Sequence, residues 1–285
     1  ARRQRQMCIR DSPPYNTAND SFKYNDSFKR STWLSFMKTR IQYARKLLKE
    51  SGVIAIQINY KEYSYLKVLC DDLLGEENYI TTVTIKTATT ASFRAINDCP
   101  VNVSEFIIIY AKNKAKAKIK PVYVACDYSE DYGSYIKNYN QDCNSWEIIP
   151  VDNLIYEAEG VSSWQEYKRL HGENWMQKPS QEIVRIVEQS KKERNKVFQV
   201  GTTYIYNGRT LAFFSKKLRE IDGKITPTEI LTNIWTDISF LSLGNEGGVD
   251  LPNGKKPEKL IQRLFGLFTD SEDIIMDYHL GTGTT

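Results

Sequence analysis

Ser12-Pro13-Pro14-Tyr15-Asn16-Thr17 is the stretch on which the reading of this chain turns, together with Asp277-Tyr278-His279-Leu280-Gly281-Thr282-Gly283-Thr284-Thr285 at its far end. Two successive prolines fix φ near −65° and leave two carbonyls with no amide donor of their own. The corner is rigid and rich in acceptors, and Tyr15 holds an aromatic ring at a set distance from them. Such an arrangement suits gripping a flat ring that carries an amino group. Taken alone it reads equally well as a solvated polyproline turn, so the rest of the chain decides.

At the far end, Asp273-Ile274-Ile275-Met276-Asp277 reads as a buried strand that runs into Gly281-Thr282-Gly283. A strand ending in an acid and followed by a tight glycine turn can cradle a cofactor, because glycines let the backbone come close and a following helix offers free amides. An ordinary strand-to-helix turn has the same pattern. Just before it, Lys256-Pro257 opens an amphipathic helix with Leu260, Ile261, Leu264, Phe265 and Leu267 on its apolar face. Proline suits a first helical turn; the lysine beside that amide-rich end either complements an acidic ligand group or belongs to a plain helix start.

Between these ends the chain alternates helix and strand. Trp33, Phe36, Met37, Arg40, Ile41, Ala44, Leu47 and Leu48 recur at three- and four-residue spacing, with Ser31 or Thr32 as cap. Val53-Ile54-Ala55-Ile56-Gln57-Ile58 is a nearly continuous apolar run, as in a strand buried on both faces. A second helix is expected over Tyr63 to Leu74 with Tyr65, Leu66, Leu69 and Leu73 inward, then strands at Tyr79 to Lys86 and Ser104 to Tyr110. Past Ala111 the character changes: Lys112, Lys114, Lys116, Lys118 and Lys120 alternate with small or apolar residues, and tyrosines follow in quick succession. The lysines fit either an edge strand protected against pairing or contacts to phosphates. Further on come a helix at Ser180 to Glu193, strand-like pieces at Val197 to Tyr206 and Thr210 to Phe214, and basic clusters at Lys191-Lys192-Glu193-Arg194 and Lys216 to Arg219. Trp235 to Asp250 reads as a loop.

The 285 residues, 41% hydrophobic and 26% charged, are those of a globular chain, and the net charge of +4 favours a polyanionic partner only mildly. Five scattered cysteines with no C-x-x-C pair argue against a disulfide framework or a zinc site and for a reducing cytoplasm. No apolar run approaches the roughly 18 residues of a membrane span. Neither His171, expected to face solvent, nor His279 suggests a metal site or a triad. The chain starts at Ala1, and Gln4 to Asp11 resembles read-through of a sequencing-library adapter; the first dozen residues are expected to be non-native, with no convincing strand leading into the corner.

The order of the parts, Pro-Pro-Tyr corner, helix, buried strand, basic insert, Lys-Pro helix, strand and glycine loop, resembles the amino-methylating DNA methyltransferases of the beta arrangement. Tyr15-Asn16-Thr17-x-Asn19-Asp20, Phe22-Lys23-Tyr24-Asn25-Asp26, Ser31-Thr32-Trp33-Leu34 with Phe36-Met37-Lys38, Tyr65 to Leu69, Gly254 to Glu258 and Asp277 to Thr285 look more closely like the modification subunit of type III restriction systems. The resemblance covers about 12 to 110 and 233 to 285. It implies an α/β fold, a Rossmann-like S-adenosylmethionine-dependent methyltransferase sheet truncated at both ends, with an inserted mixed α/β target-recognition region. Residues 1–110 would carry the base-binding part, 111–233 the recognition region and 234–285 the cofactor part.

By the same resemblance Ser12, Pro13, Pro14 and Tyr15 form the catalytic corner, with the Pro13 carbonyl and the Ser12 side chain accepting from the base's amino group and Tyr15 stacking on the flipped ring. Lys256, Pro257, Asp277, His279, Gly281, Gly283 and Thr284 would bind S-adenosylmethionine, and no metal is needed. Lys112, Lys114, Lys116, Lys191, Lys192 and Arg194 would contact DNA. The implied partners are double-stranded DNA, a helicase-nuclease restriction subunit and a second copy in a homodimer; the setting is cytoplasmic, with no membrane. Adenine-modifying members usually carry Asp before Pro-Pro-Tyr, whereas here Asp11 sits one place early and Ser12, common in cytosine-amino enzymes, takes the position. Adenine is the expected target. Cytosine, a free-standing methyltransferase and an inactive DNA-binding fragment are the alternatives. The strand and ribose-binding acid expected beyond Thr285 are absent, so weak cofactor binding and little turnover are expected of this chain.

Overall fold

The computed structural model describes residues 7–17, 25–89, 100–151, 156, 159–172, 183–188, 196–207, 209–241, 243–248, 255–281 and 283–285. In chain order come β1 (Met7–Asp11), α1 (Arg30–Leu47), β2 (Val53–Ile58), α2 (Tyr60–Leu74), β3 (Tyr79–Lys86) and β4 (Ser104–Ala111). Short strands follow: β5 (Tyr123–Ala125), β6 (Ser134–Ile136) and β7 (Ile148–Pro150), then α3 (Trp164–His171). After these are β8 (Ile183–Glu188), β9 (Val197–Val200), β10 (Thr203–Tyr206), β11 (Arg209–Phe213), β12 (Leu218–Ile221), β13 (Lys224–Ile230) and β14 (Ile234–Trp235). The chain closes with α4 (Glu258–Phe268) and β15 (Ile274–Met276).

Two compact units result, Ala1–Val122 with Leu231–Thr285, and Tyr123–Ile230. The dividing lines fall after Val122 and before Leu231 rather than at 110/111 and 233/234. Lys112 to Val122 stay with the first unit through Lys112 N to Gly52 O (2.9 Å), Lys120 N to Leu267 O (2.9 Å) and Leu231 N to Val122 O (2.8 Å).

The first unit is a mixed α/β fold on a six-stranded sheet of order β14-β3-β4-β2-β1-β15. β1 lies parallel to both β2 and β15, while β4 runs antiparallel to β2 and β3. Every side chain of β2 is buried, as its unbroken apolar run requires. One face of the sheet carries Ile9, Ile54, Ile56 and Ile58 against Trp33, Met37 and Ile41 of α1 and Leu66 and Cys70 of α2. The other face packs Val53, Ala55, Ile107 and Ile109 against Leu260, Leu264 and Phe268 of α4. The expectation that no strand precedes the corner is corrected, because Met7–Asp11 pairs on both sides. Two helical details differ as well: Lys29, without a side-chain bond, holds the N-cap of α1, and Tyr65 is 44% exposed rather than inward, with the Arg30 guanidinium over its ring.

The second unit is built of antiparallel strands, one sheet of order β7-β6-β8-β11-β10-β9 and one of order β12-β13-β5. Its cores are aromatic: Tyr132, Tyr167 and Phe214 in one cluster, Trp146 and Phe213 in another. The helix expected at Ser180 to Glu193 is corrected, since Ile183–Glu188 is the strand β8, paired with β6 and β11. Ile-Val-Arg-Ile-Val is β-branched at four of five positions, which favours a strand once ladder partners exist on both sides.

Candidate active site

Strand pairing brings the two decisive stretches together. β1 ends at Asp11 opposite Ile56, and the Ser12 corner follows at once. β15 lies on the other side of β1, so its following loop, Asp277 to Gly283, leaves from the neighbouring strand in the same direction. Carboxyl ends of adjacent parallel strands are where open α/β sheets hold ligands. Arg10 Nη1 pairs with Asp277 Oδ2 at 3.1 Å, Tyr278 donates to Asp11 Oδ2 at 2.8 Å, and His279 Nδ1 lies 2.6 Å from Asp11 Oδ1.

The corner is locked from several sides. Trp33 Nε1 donates to the Pro14 carbonyl at 2.8 Å, so α1 fixes the turn through a buried ring. Asn16 has φ of 56°, a left-handed conformation that asparagine tolerates better than most side chains. Its side chain donates to Glu62 (2.9 Å) and accepts from Phe28 N (2.7 Å), and its own N–H donates to Asp26 (2.8 Å). Glu62, 2% exposed, also accepts from Arg30 Nε at 3.1 Å.

Tyr15 is held by its phenol. The hydroxyl donates to Glu105 Oε2 at 2.8 Å and accepts from Lys256 Nζ at 2.7 Å. The same Glu105 oxygen accepts from Gln57 Nε2 at 2.7 Å and from Lys256 at 3.2 Å. Burial, then the Glu105 carboxylate, hold the Tyr15 phenol well above its ordinary value. Burial pushes the Glu105 carboxyl up, but the Lys256 ammonium and the bonds from Tyr15 and Gln57 outweigh it and hold the group below its usual range. Lys256 is pulled below the ordinary lysine value by burial, with Glu105 opposing. Lys256 is thus bonded to the Tyr15 corner, and Pro257 occupies the N-cap of α4. Glu246 Oε2 accepts from Glu258 N at 2.8 Å, capping the helix start that proline cannot cap.

In the glycine loop, Asp277 accepts from His279 N (3.2 Å) and from Thr285 Oγ1 (2.6 Å). Gly281 and Gly283 have φ of 58° and 78°, conformations that a Cβ would strain. The His279 ring stacks on Phe36 at 5.7 Å between centroids, and its Nε2 is buried with no hydrogen-bond partner. Gly283 N donates to Leu280 O at 2.9 Å, and Thr284 follows it in the chain.

Among the described residues, Lys112, Lys114 and Lys116 do not join this cluster. They follow Ala111, which pairs with Val53 at the amino end of β2, four residues or about 13 Å along the strands from Ser12. Their segment is turns and bends rather than an edge strand. Lys112 Nζ donates to Leu48 O at 2.7 Å and pairs with Glu50 at 3.5 Å. Lys191, Lys192 and Arg194 lie outside the described residues. His171, expected to face solvent, is half-buried against Tyr167, 3.2 Å from Glu159. Sequence reasoning missed Glu105, Gln57, Glu62 and Trp33 as site residues. The available signal was a polar side chain inside an apolar strand run, Gln57 in β2 and Glu105 opening β4.

The sequence model of one protein family, described as DNA methylase, matches residues 7–285. The protein named "probable type III restriction-modification enzyme HindVI Mod subunit" from Haemophilus influenzae is 32% identical over 324 residues, covering 96% of this chain and 42% of its own length. The type III EcoPI Mod subunit of Escherichia phage P1 is 27% identical, covering 96% of this chain and 49% of its own length. The chain thus spans about half the length of the curated relatives it matches. Among solved structures, the Thermus thermophilus protein TTHA0409 in complex with S-adenosyl-L-methionine aligns with 98% of this chain and 73% of its own, at 13% identity and a TM-score of 0.43.

Proposed function

The chain belongs to the DNA methylase family, and from that premise we propose that it transfers a methyl group from S-adenosylmethionine to the exocyclic amino group of adenine in double-stranded DNA. The observation that carries this reading is the emergence of the Pro-Pro-Tyr corner and the glycine loop from neighbouring parallel strands, β1 and β15. The loop fits the cofactor: Gly281 and Gly283 keep the backbone open for close approach, Asp277 organises the turn, and the buried Nε2 of His279 has a hydrogen bond to make. Asp277, His279, Gly281, Gly283 and Thr284 would hold it, and when bound it supplies an electrophilic methyl group on sulfur.

The corner does the rest. The Pro13 carbonyl and Ser12 accept the two amino hydrogens and fix the nitrogen in line, so that positioning supplies most of the rate. Tyr15 stacks on the extruded base; flipping costs a few kcal/mol, and one aromatic stack returns on the order of 1 to 3 kcal/mol. The unit Tyr123–Ile230 reads the target sequence, and the protein works with a restriction subunit and as a homodimer.

Ser12 favours a second reading, cytosine. Incubating the chain with deuteromethyl S-adenosylmethionine and mixed-sequence DNA, followed by nucleoside mass spectrometry, separates the two. N6-methyladenine is expected; N4-methylcytosine alone would move the target to cytosine, and neither product together with no cofactor binding would leave a DNA-binding fragment. Co-purification with a helicase-nuclease subunit and the mass in solution check the partners.

A further inference from the structure

We propose that Glu105 and Lys256 are positioning residues of the base corner, a carboxylate-ammonium pair that fixes the plane of the Tyr15 ring and makes Lys256 a part of the base site rather than of the cofactor site. This inference rests on the base-stacking role of Tyr15 given above. Three atoms form a closed triangle: Tyr15 Oη to Glu105 Oε2 at 2.8 Å, Lys256 Nζ to Tyr15 Oη at 2.7 Å and Lys256 Nζ to Glu105 Oε2 at 3.2 Å. A phenol that donates to Glu105 and accepts from Lys256 cannot swing about its Cα–Cβ bond without breaking both bonds.

The arrangement reaches across the chain, since Tyr15 lies 90 residues from Glu105 and 241 from Lys256. Glu105 is itself oriented by Gln57, so the anchor stands on two central strands, β2 and β4. The Lys256 and Glu105 side chains are only 13% and 20% exposed, and a charge pair so placed resists solvent exchange better than a surface pair. The Lys256 ammonium lies 4.6 Å from the centroid of the Tyr15 ring, close enough to polarise the ring as well as to bond its hydroxyl. A lysine committed in this way has its charge balanced inside the corner and does not await an acidic group of the cofactor.

The test uses the purified chain with Glu105→Gln, Lys256→Gln and Lys256→Arg, the double Gln variant, and thermal melting as the folding control. S-adenosylmethionine affinity is expected to stay within about threefold of wild type in each. The kcat for DNA methylation should fall at least tenfold in each Gln variant, with the double variant no more than twofold below the worse single, and Lys256→Arg should recover at least a third of wild-type kcat. A cofactor affinity weakened tenfold or more by Lys256→Gln with kcat unchanged would overturn the inference, as would multiplicative losses in the double variant.

A second readout needs no catalysis. Nitration of Tyr15 by tetranitromethane, scored by peptide mass spectrometry against the exposed Tyr43, should rise at least fivefold in Glu105→Gln. Nitration unchanged within twofold means the phenol is not held by Glu105, and the inference fails. If the wild-type chain neither binds S-adenosylmethionine nor methylates DNA, the functional reading falls, and the nitration ratio alone decides whether the anchor exists.

Discussion

Among single side chains, Asn16 shows how the corner is kept in shape. Its left-handed backbone, at φ of 56°, is stabilised by bonds to Asp26, Glu62 and Phe28 N. Asn16→Ala loses the side-chain bonds and must hold a β-carbon in a disfavoured conformation, so unfolding in urea is expected to show a loss of about 2 kcal/mol. Asn16→Gly restores the backbone freedom and should recover about half of that; equal losses for the two would show that strain plays no part. The corner itself was legible in the sequence, because two prolines and an aromatic ring restrict geometry locally. Its supports were not. Glu62 and Glu105 read as ordinary helix and strand residues, and their partners lie 46 and 90 residues away, a separation that no local pattern encodes.

Among elements, α4 is tied to the chain after β14 by a two-toothed ion pair. Arg263 Nη1 and Nη2 donate to Asp237 Oδ1 and Oδ2 at 2.8 and 2.5 Å, and Lys259 Nζ lies 3.1 Å from the same carboxylate. The bonds from Arg263, then those from Lys259, hold the Asp237 carboxyl well below its usual range despite partial burial. A depressed carboxyl contributes stability that is present above its unfolded value and lost as pH falls through the folded one. Asp237→Asn should therefore cost about 1 kcal/mol at pH 7, near the upper end for an exposed pair because Asp237 is 44% exposed while Arg263 is only 6% exposed. The gap should close on acidification below about pH 4, and a gap independent of pH would refute the ionic origin. Helices with a clean apolar stripe, α1 and α4, were readable as such. β8 was not: its apolar residues also fit a helical spacing, and only pairing with β6 and β11 selects the strand.

For the chain as a unit, the two parts have separate cores, so a ligand of the glycine loop should stabilise only one of them. S-adenosylmethionine at a hundred times its dissociation constant adds about 2.7 kcal/mol to the state it binds. Hydrogen exchange should accordingly slow in β1, β2 and β15 and stay unchanged in β8, β10 and β11; equal slowing in both parts would contradict a site confined to the loop. A change of composition after Ala111 is all that the sequence shows of a boundary; the units divide at Val122 and Leu231, which a backbone bond joins. The pairing of β1 with β15 also bears on synthesis. Met7 sits opposite Ile274, 267 residues further along the chain, and closing so long a loop is entropically slow. On the ribosome, β1 must therefore wait with one edge unsatisfied until β15 emerges, which leaves that edge open to wrong pairing in the meantime.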